Sequence, residues 1–152
     1  MKNIIFVSIN EYLKNNTFNE NFIKWFNGSK IVNTDNTPKI YYNGSHYNFD
    51  VFKLNKISKD YDNNILGFYF AESKHIASMY GDHIKDCYLS IKNPKKLSDT
   101  DFQLHLNYTE PKELVKIKRN YIKEGYDGIS YDNSILVAFY PNQIKSINND
   151  GS

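Results

Sequence analysis

The chain predicts an α+β fold with a largely antiparallel sheet. Candidate strands outnumber candidate helices. The helices fall early and between strands, without regular βαβ alternation. The chain has 152 residues, 40% hydrophobic and 24% charged, an ordinary balance for one domain. A domain of that size buries roughly two-thirds of its unfolded surface.

Taken in order, Ser8 caps a short helix through Lys14. Asn19 caps a second, residues 20–27, with Phe22, Ile23 and Phe26 on one face and Gly28 as its stop. A polar turn over 33–37 is backed by Pro38. Residues 39–42 read as a short strand ending at Asn43-Gly44-Ser45, and 46–64 as a loop pinned by Phe49 and Phe52. Residues 67–71 form a compact aromatic strand, after which Ser73 stands at an N-cap position. Ile76, Met79 and Tyr80 then share a helical face.

From Ile84 to Ile91 the pattern alternates, with Cys87, Leu89 and Ile91 on one face and Asp86, Tyr88 and Ser90 on the other. Asn93-Pro94 ends that strand. Thr109 and Pro111 open a helix whose buried stripe is Leu114, Ile117, Tyr121 and Ile122, and Gly125 terminates it. Asp127-Gly128 leads into a strand over 129–131. The apolar run 135–139 suits a central strand, Pro141-Asn142 breaks it, and 143–147 pair once more.

Bulk properties exclude several function classes. Net charge is +2, from 19 basic and 17 acidic side chains, too balanced for a nucleic-acid footprint. Lys112, Lys116, Lys118, Arg119 and Lys123 read as the solvated face of a helix. Cys87 is the only cysteine, so no intramolecular disulfide and no cysteine metal site can form, in keeping with a reducing compartment. The four histidines, His46, His75, His83 and His105, lack metal-ligand spacing, and no metal is expected. The apolar run near the N-terminus is too short for a signal segment or a membrane span, and Gly151-Ser152 reads as an added tail.

The common catalytic templates are missing: no Gly-x-Gly-x-x-Gly, no phosphate-binding Gly-x-x-x-x-Gly-Lys loop, no His-Glu-x-x-His and no Gly-x-Ser-x-Gly. Two segments stand out instead, Tyr42-Asn43-Gly44-Ser45 and the strand and helix from Gly67 to Tyr80. A strand-end glycine lets backbone N–H and C=O groups approach a carboxamide, and Tyr69 and Tyr80 offer stacking faces. Composition and periodicity alone favour core packing for both tyrosines and a hairpin turn for Asn43-Gly44.

The Gly67–Tyr80 segment resembles, without a gap, the Gly-Ile-Tyr-Phe-Ala … Ser-Ala-Asn-Tyr block of the poly(ADP-ribose) polymerase-like ADP-ribosyltransferases. Tyr42 to Ser45 resembles that family's His-Gly-Ser/Thr turn. The chain is more similar still to the small ADP-ribosyltransferase domains of phage and mobile-element polyvalent proteins. Phe22 to Val32, Phe49 and Phe52, Ala77 to Tyr80, Asn93-Pro94, Gly125 to Ile129 and Pro141 to Ser146 follow that pattern in order. The resemblance spans about residues 22 to 146. It implies a split, mostly antiparallel sheet with flanking helices around an NAD⁺ cleft. Domain organisation is then a helical leader over 1–21 and an ADP-ribosyltransferase-like domain over 22–147.

The resemblance also implies site roles. In the family a His-Tyr-Glu triad grips NAD⁺. Tyr69 falls on the Tyr position, Gly44 on the glycine that holds the carboxamide, Ser45 on the hydroxyl after it and Tyr80 on the second stacking Tyr. Ala77 stands where polymerase-like members carry a hydroxyl. Asn43 replaces the His and keeps a donor and an acceptor for a ribose hydroxyl. Ile135 falls on the Glu position, with Asp132, Asn133, Glu72 or Glu110 as substitute carboxylates or polar groups, Asp132 and Asn133 first. Loss of the Glu removes an electrostatic contribution of about 3–4 kcal/mol.

The implied activity is mono-ADP-ribosyl transfer from NAD⁺ to a macromolecular acceptor. The acceptor is a protein rather than nucleic acid, and no membrane is involved. The setting is a phage, prophage or toxin-type effector in a bacterial cytoplasm. The alternative is an inactive module that binds NAD⁺, ADP-ribose or a protein partner.

Overall fold

The computed structural model describes residues 18–49, 51–53 and 65–148. The Ser8–Lys14 helix, most of the 1–21 leader and the loop from 54 to 64 lie outside the described residues.

Helix α1 (Glu20–Phe26) begins where the Asn19 side chain accepts the Phe22 N–H at 2.9 Å. Gly28 follows it at φ 84, as its stop position requires. Its buried Phe22 packs edge-on to Tyr88 at 5.3 Å, and the Trp25 indole donates to the Asn142 carbonyl at 2.6 Å.

The strands are β1 (Tyr41–Ser45), β2 (Phe68–Ala71), β3 (His83–Leu89), β4 (Pro94–Leu97), β5 (Gly128–Tyr131), β6 (Ile135–Ala138) and β7 (Ile144–Ser146). They form one seven-stranded sheet in the order β4-β5-β6-β2-β1-β3-β7. Only β4–β5 is parallel; the other pairings are antiparallel, as the lack of βαβ alternation predicts.

Helix α2 (Lys74–Ser78) lies on β1 and β2, while α3 (Asp99–Asn107) and α4 (Pro111–Lys123) cover the same sheet face further along. On that face Phe102 of α3 and Leu114 of α4 pack with Ile129, Tyr131, Ile135 and Val137. The opposite face buries Phe68, Phe70, Leu136 and Ala138 with Tyr41, Cys87, Leu89 and Ile91. Cys87 is fully buried and its thiol is pushed up to about 12, chiefly by desolvation, so it is an inert packing residue.

Several expectations change. Asn43, Gly44 and Ser45 lie inside β1 rather than after it, and Lys39 and Ile40 precede the strand. Helix α2 stops at Ser78, so Met79 leaves its apolar face and is 67% exposed. Ile122 is exposed at the edge of α4. The alternating strand stops at Leu89, and Pro94 opens β4 instead of only ending β3. Proline is tolerated there because β4 is an edge strand and Pro94 its first residue. Helix α3 carries a legible start, the Ser98/Asp101 capping box, but its weak apolar periodicity conceals it from a pattern reading.

Buried Gln143 ties distant parts together. Its side chain donates to the Asp127 carbonyl at 2.7 Å and accepts the Tyr140 N–H at 2.8 Å, and its own carbonyl accepts the Ser90 N–H at 2.8 Å. The Asp127 carboxylate in turn accepts the N–H groups of Lys92 and Asn93.

Candidate active site

Strands β1 and β2 meet at one register pair, Tyr42–Ala71, among the described residues. That register would next set Gly44 opposite Tyr69. Instead the strands part, and Nδ2 of Asn43 donates to the Tyr69 carbonyl at 2.8 Å. The other oxygen-bearing end of this side chain, Oδ1, is buried without a hydrogen-bond partner.

Backbone alternation fixes what faces the gap. The Asp86 carbonyl accepts the Ile147 N–H at 3.0 Å, so Asp86 turns to the β7 side. Its β1 partner Tyr42, and Gly44 opposite Ile84, therefore stand in non-hydrogen-bonded pairs with β3. Their N–H and C=O groups point toward β2. From the other side, Glu72 N–H donates to Ser134 at 2.9 Å, so Phe70 and Phe68 bond β6 while Tyr69 and Ala71 face β1. Gly44 thus presents one donor and one acceptor to the split.

The missing Cβ of Gly44 has its own use. A Cβ there would fall on the Ala77 carbonyl oxygen of α2, and one at Gly81 would fall on the Ser45 backbone. Two glycines let α2 and the turn after it lie directly on β1. This turn carries Tyr80.

The parting opens a cavity of about 500 Å³, bordered by Asn43, Gly44, Ser45, Tyr69, Ala77, Tyr80 and Ile135. All residues that the sequence assigned to the site therefore converge. The Tyr69 ring lies 6.5 Å from that of Phe102. Its phenol is held well above the ordinary range, first by burial and then by Tyr131 and Tyr80; burial also raises Tyr80. Both stay neutral and can serve as donors. Ser45 Oγ accepts the Tyr47 N–H at 3.1 Å. Ile135 is 5% exposed and pairs with Ala71 on one side and Tyr131 on the other.

None of the suggested substitute groups borders the cavity. The Asp132 carboxylate accepts the Asp99 N–H at the start of α3, at 2.7 Å. Asn133 accepts the Ser130 hydroxyl at 3.0 Å in the β5–β6 turn. Glu72 pairs with Lys39 at 2.8 Å, and Glu110 is the residue before α4. Among the described residues the lining contains no Asp or Glu.

His46 and Lys53 do border the cavity, together with Phe49 and Phe52. The sequence reading passed over both basic residues as ligand contacts. Their only signal was position, His46 directly after the Tyr42–Ser45 segment and Lys53 next to Phe52 in the loop that follows. The β2 side of the lining is aromatic and apolar, whereas β1 and the residues after it mix polar and basic groups (Asn43, Ser45, His46, Lys53) with aromatic ones (Tyr42, Phe49, Phe52). Among the described residues no group of three or more His, Cys, Asp or Glu side chains could hold a metal ion. No described helix is long and apolar enough to cross a membrane.

A search of the curated proteins gives no match. Among solved structures, the crystal structure of an anti-CRISPR protein is similar over 71% of this chain and 94% of that chain, with a TM-score of 0.42 and 11% identity. The family profile described as ADP-ribosyltransferase in polyvalent proteins matches residues 33–152, a stretch that contains every strand of the sheet and the cavity between β1 and β2. The chain belongs to that family of ADP-ribosyltransferase domains.

Proposed function

We propose that the cleft binds NAD⁺ and that the protein transfers ADP-ribose to a macromolecular acceptor, a protein rather than nucleic acid. The observation that carries this is the open seam at Gly44, whose N–H and C=O face a gap flanked by Tyr69 and Tyr80. A carboxamide offers one acceptor and one donor to match that pair. Nicotinamide would lie there between the two tyrosines, with Ala77 and Ile135 as apolar floor and Ser45 beside the amide. Oδ1 of Asn43 would accept from a ribose hydroxyl. Lys53 and His46 would meet the diphosphate.

In the reaction the bond from nicotinamide nitrogen to ribose C1′ breaks. Nicotinamide leaves neutral with the bonding pair, and the acceptor nucleophile adds to C1′ and loses its proton. The cleft supplies alignment and a neutral, desolvated surround. Residues 22–147 form the working domain in this reading, with 1–21 as a leader. The setting is that of a phage, prophage or toxin-type effector acting in a bacterial cytoplasm.

A second reading has a specific observation behind it. Without Asp or Glu among the described lining residues, and with Ile135 in the expected carboxylate position, the domain binds NAD⁺ or ADP-ribose without turning it over.

Nicotinamide release from NAD⁺, with and without host lysate, separates the two readings. Release that disappears in Tyr69→Ala supports transfer. Absence of release, with a thermal shift on adding NAD⁺, supports the binding module. The absence of both release and shift refutes NAD⁺ as the ligand. In the binding module, Asn43→His with Ile135→Glu should awaken NAD⁺ hydrolysis.

A further inference from the structure

We infer that Asn43 is a wedge that keeps β1 and β2 from zipping together and so exposes the Gly44 backbone. This rests on the placement of nicotinamide at that backbone. The Tyr42–Ala71 register sets Gly44 opposite Tyr69, and alternation turns the polar groups of both residues toward each other. Two such strands ordinarily complete their ladder, because buried backbone groups seek partners. Here the Asn43 side-chain amide takes the Tyr69 carbonyl at 2.8 Å. The acceptor that the Gly44 N–H would use is therefore occupied from within the same strand.

The arrangement leaves Oδ1 of Asn43 buried and unpartnered. A zipped ladder would give the Tyr69 carbonyl to the Gly44 N–H and leave both ends of the Asn43 amide without a partner, and unsatisfied buried polar atoms are rare where nothing compensates them. The defect fits a seam that an incoming donor completes. A carboxamide NH₂ or a ribose hydroxyl has that chemistry. Asn43 is thus a positioning residue that acts through Gly44, in addition to any contact its oxygen makes.

The test uses the full ¹⁵N-labelled chain and reads amide hydrogen exchange at Gly44, with nicotinamide as the probe ligand. In the wild type without ligand the Gly44 amide should exchange fast, and nicotinamide should slow it. In Asn43→Ala the strands should zip. The Gly44 amide should then slow by about tenfold or more without ligand, and nicotinamide affinity should fall by a similar factor. General destabilisation would speed exchange instead, so the sign of the change isolates the wedge. Asn43→Ser, which lacks the reach to Tyr69 but keeps a polar side chain at the seam, gives the same readout if the alanine variant does not fold. Unchanged or faster Gly44 exchange in these variants overturns the wedge. If the wild type does not bind nicotinamide, the ligand assignment falls, while the ligand-free comparison still decides the role of Asn43.

Discussion

Every residue of β5 and β6 is buried, whereas in β1 only Tyr41 is, and β7 buries none. The β4-β5-β6-β2 side is paired along its strands and sealed by α3 and α4. The β1-β3-β7 side is equally well paired within itself but half-exposed, and it joins the first side through Tyr42–Ala71. The first side has the features of a scaffold. The second brings polar groups to its edge. The cleft exists because the two stop pairing, so stability and ligand contact should separate when each side is perturbed.

The largest effect should come from the scaffold. Leu136→Ala, at a fully buried position, should cost about 2–5 kcal/mol in urea unfolding. The surviving folded fraction should bind nicotinamide as the wild type does. A loss of affinity without a loss of stability would contradict the division of labour.

Next is Gly44→Val, which drives a side chain into the α2 backbone. Overpacking of this kind costs about 1–3 kcal/mol, and here nicotinamide binding should vanish as well. Wild-type affinity in this variant would refute the assignment of Gly44.

Lys53→Glu lies at the exposed rim and should change stability by no more than about 0.5 kcal/mol. It should weaken ADP-ribose by roughly tenfold while leaving nicotinamide untouched, because only the former carries the diphosphate. Equal loss for both ligands, measured by calorimetry, would remove Lys53 from the diphosphate role.

How much of this was legible in the sequence differs between the two sides. The apolar run at 135–139, the alternation through Cys87, Leu89 and Ile91, and the caps at Asn19 and Ser73 are local signals, and each marks an element, although β3 stops at Leu89 and the helix after Ser73 at Ser78. Strand β4 and helix α3 were missed because Lys95 and Lys96 hide a parallel edge strand and α3 buries only Phe102. The candidate site residues were named from the resemblance and do converge. What the sequence could not disclose was the seam, since register and backbone direction between β1 and β2 depend on partners far apart in the chain. His46 and Lys53 were passed over for a related reason: a basic residue in a loop has no pattern that distinguishes a cavity rim from open solvent.

The smallest effect tests the scaffold by pH. Nδ1 of His105 lies 2.7 Å from the Tyr131 hydroxyl. Burial lowers its pKa from 6.5, with Asp101 pulling the other way. The unfolded chain therefore takes up a proton first as pH falls, so stability drops from about pH 6.5 down to the lowered folded value. His105→Gln should lessen the fall in urea midpoint between about pH 7.5 and about pH 5.5. An identical fall in the variant would place the acid sensitivity elsewhere.

Gln143 sets a timetable for folding. It joins the end of β3, through Ser90, to the start of β5, through Asp127, and it comes after β1 to β6 in the chain. During synthesis from the N-terminus, β1 to β6 emerge before this cross-link and only β7 follows it. The ribosome must release almost the entire domain before this link can form. Until then the end of β3 and the start of β5 lack that restraint, and exposed strand edges of a nascent chain can pair wrongly.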